Sequence, residues 1–227
     1  MRATVVLFPG LNAEVEMLRT IRDVCGTEAT VAWHTDTKLP DGTDFVAIPG
    51  GFSYGDYLRC GALAKASPIL GAIRAHAERG GYVLGVCNGF QILTEVGLLP
   101  GALTQNKHLR FECGDWWVKV TAEGPFTKKI GDVWRLPIAH AEGRYQASRD
   151  VLDRLEGEGL VALRYCNARG VVGGAANPNG SISDIAGVYG GPNKNVLGLM
   201  PHPERMSESI LGGDDGRHLF EAVLRAA

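Results

Sequence analysis

The sequence predicts an α/β protein, a mostly parallel sheet flanked by helices with a small antiparallel extension. Three observations predict it. Apolar runs at residues 4–8, 45–48 and 82–86 are continuous rather than alternating, as in strands buried on both faces. Segments with apolar residues at helical spacing lie between such runs, the alternation that builds a parallel sheet covered on both sides. The chain has 227 residues, 45% hydrophobic and 21% charged, enough for one large core, so a single domain over residues 1–227 is expected.

Taken in order, Thr4-Val5-Val6-Leu7-Phe8 is the first strand, ended by Pro9-Gly10. Asn12 is the expected N-cap of the next segment, where Met17, Leu18, Ile21, Val24 and Cys25 share one helical face until Gly26 stops it. Residues 30–34 and 45–48 read as the second and third strands, the latter running into Pro49-Gly50-Gly51. A loop of glycines and aromatics spans residues 52–61. Ser67 as cap and Pro68 in the first turn start a helix through Ile69, Ala72, Ile73 and His76 to Gly80-Gly81. Residues 82–86 form a strand and residues 88–95 a helix, another βα unit.

Beyond Pro100-Gly101 the pattern changes. Residues 116–121 and 133–136 read as strands joined by polar turns, the antiparallel extension. Residues 151–156 are a short helix and 160–165 another strand. Residues 170–191, rich in glycine, asparagine and proline, read as a long loop, and such loops in compact domains are more often functional than idle. Residues 196–200 make the last strand, and Leu219, Phe220, Val223 and Leu224 mark a closing helix.

Composition excludes several classes. A formal net charge of −2 leaves no electrostatic excess to neutralise phosphates, so no nucleic-acid partner is expected. No apolar run approaches the ~20 residues of a spanning helix. The amino terminus enters a strand without a signal-peptide apolar region, so a cytoplasmic location is expected. Cys25, Cys60, Cys87, Cys113 and Cys166 are odd in number and scattered, with no Cys-x-x-Cys pair, which argues against a disulfide framework or a zinc site.

Cys87 differs from the other four. In Gly85-Val86-Cys87-Asn88-Gly89 it lies between two glycines at a strand-to-helix junction, the turn in which a fold exposes a nucleophile. A free cysteine has a pKa of ~8.5, so a nucleophilic one needs a helix start and a general base. His202, in Pro201-His202-Pro203-Glu204, follows the last strand and therefore reaches the same carboxyl-terminal sheet edge, where ligands bind in open α/β sheets. Glu204, two residues on, projects to the same side if the segment is extended and would accept the far imidazole proton. Acyl transfer also needs two N–H donors for the oxyanion. Asn88, next after the nucleophile, is one candidate, and Gly51, at the end of a neighbouring strand, is the other.

These residues, with the Gly50-Gly51-Phe52-Ser53-Tyr54-Gly55-Asp56 loop, the Asn88-Gly89-Phe90-Gln91 helix start, Arg110-Phe111-Glu112, Pro137-Ile138-Ala139-His140-Ala141-Glu142-Gly143-Arg144 and Asn177-Pro178-Asn179-Gly180-Ser181, carry a resemblance. The chain resembles the class I glutamine amidotransferases, and within them the PurQ-type glutaminase subunits of phosphoribosylformylglycinamidine synthases, over essentially its whole length. The resemblance implies a flavodoxin-like fold, Cys87 as nucleophile of a glutamyl thioester, His202 as proton shuttle and Glu204 as its orienting carboxylate. It implies Gly51 and Asn88 as the oxyanion hole and Gln91 lining the glutamine pocket. It further implies no metal or organic cofactor in this subunit. ATP and magnesium would belong to a large synthetase subunit of the PurL type, joined through a small bridging subunit of the PurS type, in de novo purine biosynthesis. The chain departs from the family after Phe8-Pro9-Gly10, where it has Leu11-Asn12-Ala13 instead of a small hydroxyl residue, asparagine and often cysteine.

Residues 170–191 and 137–144 are expected to form the docking face, being polar, irregular and not needed for the core. Two other readings keep the fold: a glutaminase serving a different acceptor, and a DJ-1-like cysteine amidase or peptidase, which would lack the Pro-His-Pro-Glu segment.

Overall fold

The continuous apolar runs become buried strands in the computed structural model, which describes residues 1–225. The first part of the chain supplies β1 (Arg2–Leu7), α1 (Glu14–Arg19), β2 (Glu28–Trp33), β3 (Phe45–Ile48), α2 (Ile69–Glu78), β4 (Tyr82–Val86) and α3 (Asn88–Glu95). There follow β5 (Ala102–Thr104), β6 (Glu112–Val120), β7 (Val133–His140), β8 (Arg144–Gln146), α4 (Arg149–Gly157) and β9 (Val161–Cys166). Strands β10 (Ile185–Gly190) and β11 (Val196–Leu199) and helix α5 (Arg217–Leu224) complete it.

One nine-stranded sheet has the order β2-β1-β3-β4-β11-β10-β9-β6-β7, and β5 pairs with β8 in a separate small antiparallel sheet. From β2 to β11 neighbours are parallel. From β11 to β7 they are antiparallel. The expected extension is therefore present and takes in β9 and β10 as well as β6 and β7. Helix α1 packs on β1, α2 on β4, and α3 on β3, β4 and β11. Val5, Val6, Phe45, Ile48, Val83, Val86, Phe90 and Leu199 are fully buried between them, each removed from water at a gain of ~1.5–3 kcal/mol. Among the described residues no helix is long and apolar enough to cross a membrane.

Several local expectations are corrected. Asn12 caps nothing: the cap position of α1 is Ala13, without a side-chain bond, because the backbone of Asn12 is held against Gly50 instead. The helix also leaves α geometry early, and residues Thr20–Val24 form a π turn. Ser67 does not cap α2, since its hydroxyl bonds the Tyr54 hydroxyl at 2.9 Å.

The largest correction concerns residues 170–191. Their last third is β10, an interior strand buried from Ile185 to Tyr189. Its glycine reads as a loop signal for a steric reason: a methyl group at Gly187 would lie 2.9 Å from the Gly198 carbonyl of the adjoining strand. Asn179 and Ser181 are buried too, as are Ile138 and His140 of β7. Asn179, Ser181, β10, Ile138 and His140 thus belong to the core, so the expectation that neither segment is needed for it fails there, while residues 171–177 stay partly or fully exposed.

Candidate active site

Parallel register delivers three chain segments to one place. Ile48 of β3 is level with Gly85 of β4, and Leu199 of β11 is level with Val86. Just past those ends lie Gly50 and Gly51 on one side of Cys87, and Met200 through His202 on the other. The Cys87 N–H donates to the Leu199 carbonyl at 2.8 Å, so the turn stays tied to β11 where the strand ends.

Cys87 has φ 51° and ψ −104°, outside helical geometry, and α3 begins at the next residue. Such a conformation costs about 1–3 kcal/mol and persists only where the surroundings over-determine it. The flanking glycines make the turn possible by close approach: a methyl group at Gly89 would lie 2.2 Å from the Ile48 carbonyl oxygen, and one at Gly85 2.6 Å from that of Gly89. Cys87 is 5% exposed.

His202 and Glu204 are 2% and 1% exposed, and His202 Nδ1 lies 2.6 Å from Glu204 Oε1. The pairing is as expected, but its geometry is not. The segment is not extended: Pro203–Arg205 forms a 3₁₀ turn that swings the carboxylate back to the ring. Thr20, on the π turn, donates its hydroxyl to the Glu204 carbonyl at 3.3 Å and shares a 2.9 Å bond with Ser207. With Nδ1 committed to Glu204, the buried Nε2 makes no hydrogen bond among the described residues. It is the position left for Cys87. A methyl group at Gly50 would lie 2.6 Å from His202 Cε1 and 3.3 Å from Cys87 Cβ, so the three residues enclose one small space.

Burial opposes a charged His202, but the Glu204 carboxylate and the Cys87 sulfur outweigh it and raise its pKa to about 10. The imidazole is thus prepared to hold a proton. His140, also buried, is driven the other way, down to about 4, by desolvation and then by the neighbouring His202.

The expected donors are free. Neither the Gly51 nor the Asn88 N–H has a partner among the described residues. The Gly50 carbonyl accepts from Asn12 N at 3.1 Å and Ala13 N at 3.3 Å. Because a trans peptide holds its C=O and N–H on opposite sides, this anchorage turns the Gly51 N–H the other way. The departing sequence Leu11-Asn12-Ala13 therefore still performs a backbone task. Asn88 heads α3, where helix N–H groups lack intrahelical acceptors.

Gln91 is 4% exposed and fixed at both ends of its amide. Its Nε2 donates to the Glu142 carbonyl at 2.7 Å, and its Oε1 accepts from Asn88 Nδ2 at 2.8 Å. Asn88 Nδ2 also reaches Asp56 Oδ1 at 3.1 Å. Burial, and then the like charge of Glu142, raise the Asp56 pKa, although contacts with Cys60 and Asn88 oppose the rise. All six sequence-derived residues, Cys87, His202, Glu204, Gly51, Asn88 and Gln91, thus belong to one connected site.

Sequence reasoning missed the cover over this site. The outermost strand, β7, comes back across it: the Pro137 carbonyl accepts from His202 N at 2.8 Å, and the Ala139 carbonyl faces Cys87 Sγ at 3.7 Å. Behind it Asn106, His140 and Asn179 form a buried network. Their only signal in the sequence is that each sits within or near a short polar motif of the resemblance.

Comparisons with known proteins bear on the family and the fold. Residues 1–212 match the model of the CobB/CobQ-like glutamine amidotransferase domain. The chain is 52% identical to the phosphoribosylformylglycinamidine synthase subunit PurQ of Bradyrhizobium diazoefficiens, over 98% of this chain and 97% of that one. It is 51% identical to the same subunit of Rhodospirillum rubrum, over 100% and 99%. A chain in the structure of PurLQS from Thermotoga maritima superposes with a TM-score of 0.86 at 41% identity, covering 99% of this chain and 97% of that one. The chain belongs to the PurQ family of phosphoribosylformylglycinamidine synthase subunits, glutamine amidotransferases whose fold it carries.

Proposed function

We propose that this chain is the glutaminase subunit of a phosphoribosylformylglycinamidine synthase and that Cys87, His202 and Glu204 carry its chemistry. The observation that carries the reading is the His202 Nδ1 to Glu204 Oε1 contact of 2.6 Å, which leaves a buried, unpartnered Nε2 beside the Cys87 turn. Cys87 Sγ attacks the side-chain carboxamide carbon of glutamine as a thiolate, its proton held on Nε2 of His202. Negative charge gathers on the carboxamide oxygen, towards the N–H groups of Gly51 and Asn88. As the C–N bond breaks, His202 returns its proton to the departing nitrogen, and ammonia leaves a glutamyl thioester. Water then attacks the thioester, His202 takes its proton, the C–S bond breaks, and glutamate and the thiol are restored. Glu204 holds the ring in the tautomer that keeps Nε2 available. Gln91, clamped by Asn88 and Glu142, lines the substrate pocket.

No metal or organic cofactor enters these steps. The ammonia passes to a PurL-type synthetase subunit, joined with a PurS-type subunit. With ATP and magnesium bound there, that subunit converts formylglycinamide ribonucleotide to formylglycinamidine ribonucleotide in purine biosynthesis. The likeness to a chain of PurLQS supports this assembly. A cytoplasmic location follows from that pathway role.

The test is the assembled complex supplied with either glutamine or ammonium. Cys87→Ala is expected to abolish glutamine-dependent synthesis and to spare the ammonium-dependent reaction. Persistence of glutamine-dependent synthesis in that variant would refute the reading.

A further inference from the structure

Residues 139–143 form a wall of the site, with the Ala139 carbonyl at Cys87 and the Glu142 carbonyl at Gln91. The wall leaves β7 at His140 and joins β8 only at Arg144, and its turn is held by the Asn106 N–H, which donates to the Ala141 carbonyl at 2.9 Å, and by side-chain anchors.

Asn106 supplies most of them. It is 0% exposed, and all four of its hydrogen-bond positions are filled. Its Nδ2 donates to the His140 carbonyl and to the Arg110 carbonyl, both at 2.9 Å. Its Oδ1 accepts from Gly143 N at 3.1 Å and from His140 Nδ1 at 3.2 Å. From the opposite side Asn179 Nδ2 donates to the Gly143 carbonyl at 2.9 Å and approaches His140 Nε2 at 3.5 Å. The donor pattern admits one tautomer of a neutral His140, with the proton on Nδ1. Both backbone groups of Gly143 are thus held by asparagine side chains from distant parts of the chain.

We infer that Asn106 is a positioning residue for glutamine binding, setting where the Ala139 and Glu142 carbonyls face the substrate pocket. Asn179 holds the same turn from behind. The inference rests on the reading of Cys87, His202 and Gln91 as a glutaminase site. It assigns Asn106 no contact with the reacting atoms, so its loss alters substrate affinity rather than the chemical step.

Asn106→Asp tests it in the assembled complex. The aspartate matches asparagine in shape and keeps the acceptor for Gly143 and His140, but turns an unprotonated oxygen towards two carbonyls. With one wall contact to the pocket displaced, KM for glutamine is expected to rise about tenfold, the worth of one ordinary hydrogen bond. Turnover should stay within about threefold, since transition-state contacts remain. The ammonium-dependent rate should not change. Asn179→Asp keeps the acceptor for Ser181, loses the donor to Gly143, and is expected to raise KM in the same direction. It carries the test if Asn106→Asp does not fold. Unchanged KM with reduced turnover or melting temperature alone would overturn the inference. The two failures are distinguishable: glutamine-dependent activity in Cys87→Ala defeats the glutaminase reading, whereas wild-type KM in Asn106→Asp, with Cys87→Ala inactive, defeats only the role of Asn106.

Discussion

Glu204 Oε1 lies 2.6 Å from His202 Nδ1, while its other oxygen, Oε2, is buried with no partner among the described residues. The carboxylate is therefore satisfied mainly by the imidazole, and a protonated His202 is the state it stabilises. Replacing Glu204 by Gln keeps the shape and removes the charge. Turnover with glutamine is expected to fall at least ~10²-fold, in the direction known for triads that lose their orienting carboxylate. KM should change little. Steady-state kinetics on the complex check this, and near-normal turnover would remove Glu204 from the mechanism.

Gly50 lies against both His202 and the Cys87 turn. A methyl group there would stand 2.6 Å from His202 Cε1, too close for the ring to stay in place. Gly50→Ala is expected to lower turnover by at least about tenfold, because sub-ångström misplacement of a catalytic group is costly. The ammonium-dependent rate of the complex measures folding and assembly independently and should be retained.

Buried His202 and buried His140 predict opposite pH dependences of stability. The folded-state pKa of His202 is raised from 6.5 to about 10, so its contribution is complete below pH ~6.5 and is lost as pH rises towards 10. The pKa of His140 is lowered to about 4, so the unfolded chain binds more protons between pH 4 and 6.5, and stability falls as pH drops through that window. Protonation would also set a second N–H of His140 against the Asn179 amide. Urea titrations across pH are expected to show a flattened alkaline limb in His202→Asn and a flattened acid limb in His140→Asn. Each histidine can account for at most ~1.4 kcal/mol per pH unit inside its window. Unaltered limbs would contradict the assignment.

Residues 175–181 offer a test of the correction to the fold. Asn177 Nδ2 bonds the Ser181 carbonyl at 2.8 Å, Asn179 holds Gly143, and Ser181 Oγ accepts from Tyr145 N at 3.0 Å. Deleting this stretch strips partners from buried polar groups on β8 and on the turn before it, each worth ~1–3 kcal/mol. The variant is expected to lose cooperative thermal unfolding. A wild-type melting curve would show the segment to be dispensable.

How far the sequence could be read follows from where each contact originates. Cys87 was legible because its constraint is local: a strand, a glycine-flanked turn and a helix lie together within residues 82–95. His202 was legible from its position after the last strand, although the route to Glu204 is a 3₁₀ turn rather than an extended segment. Strand β10 was not legible, because Gly187 is required by close packing against β11 and Gly190 by close packing against Leu98 and Leu99, and both imitate loop composition. Nor was the network of Asn106, His140 and Asn179, which joins segments more than thirty residues apart and has no periodic trace in any of them. The cover that β7 places over the site is a matter of sheet curvature, which local patterns do not encode.

The most direct measurement is intact mass spectrometry of the subunit, quenched in acid during turnover of the complex with glutamine. The account predicts an increase equal to one glutamyl group, located on the peptide containing Cys87 and absent in Cys87→Ala. Full glutamine-dependent turnover with no adduct on Cys87, or with the adduct on another residue, would contradict it.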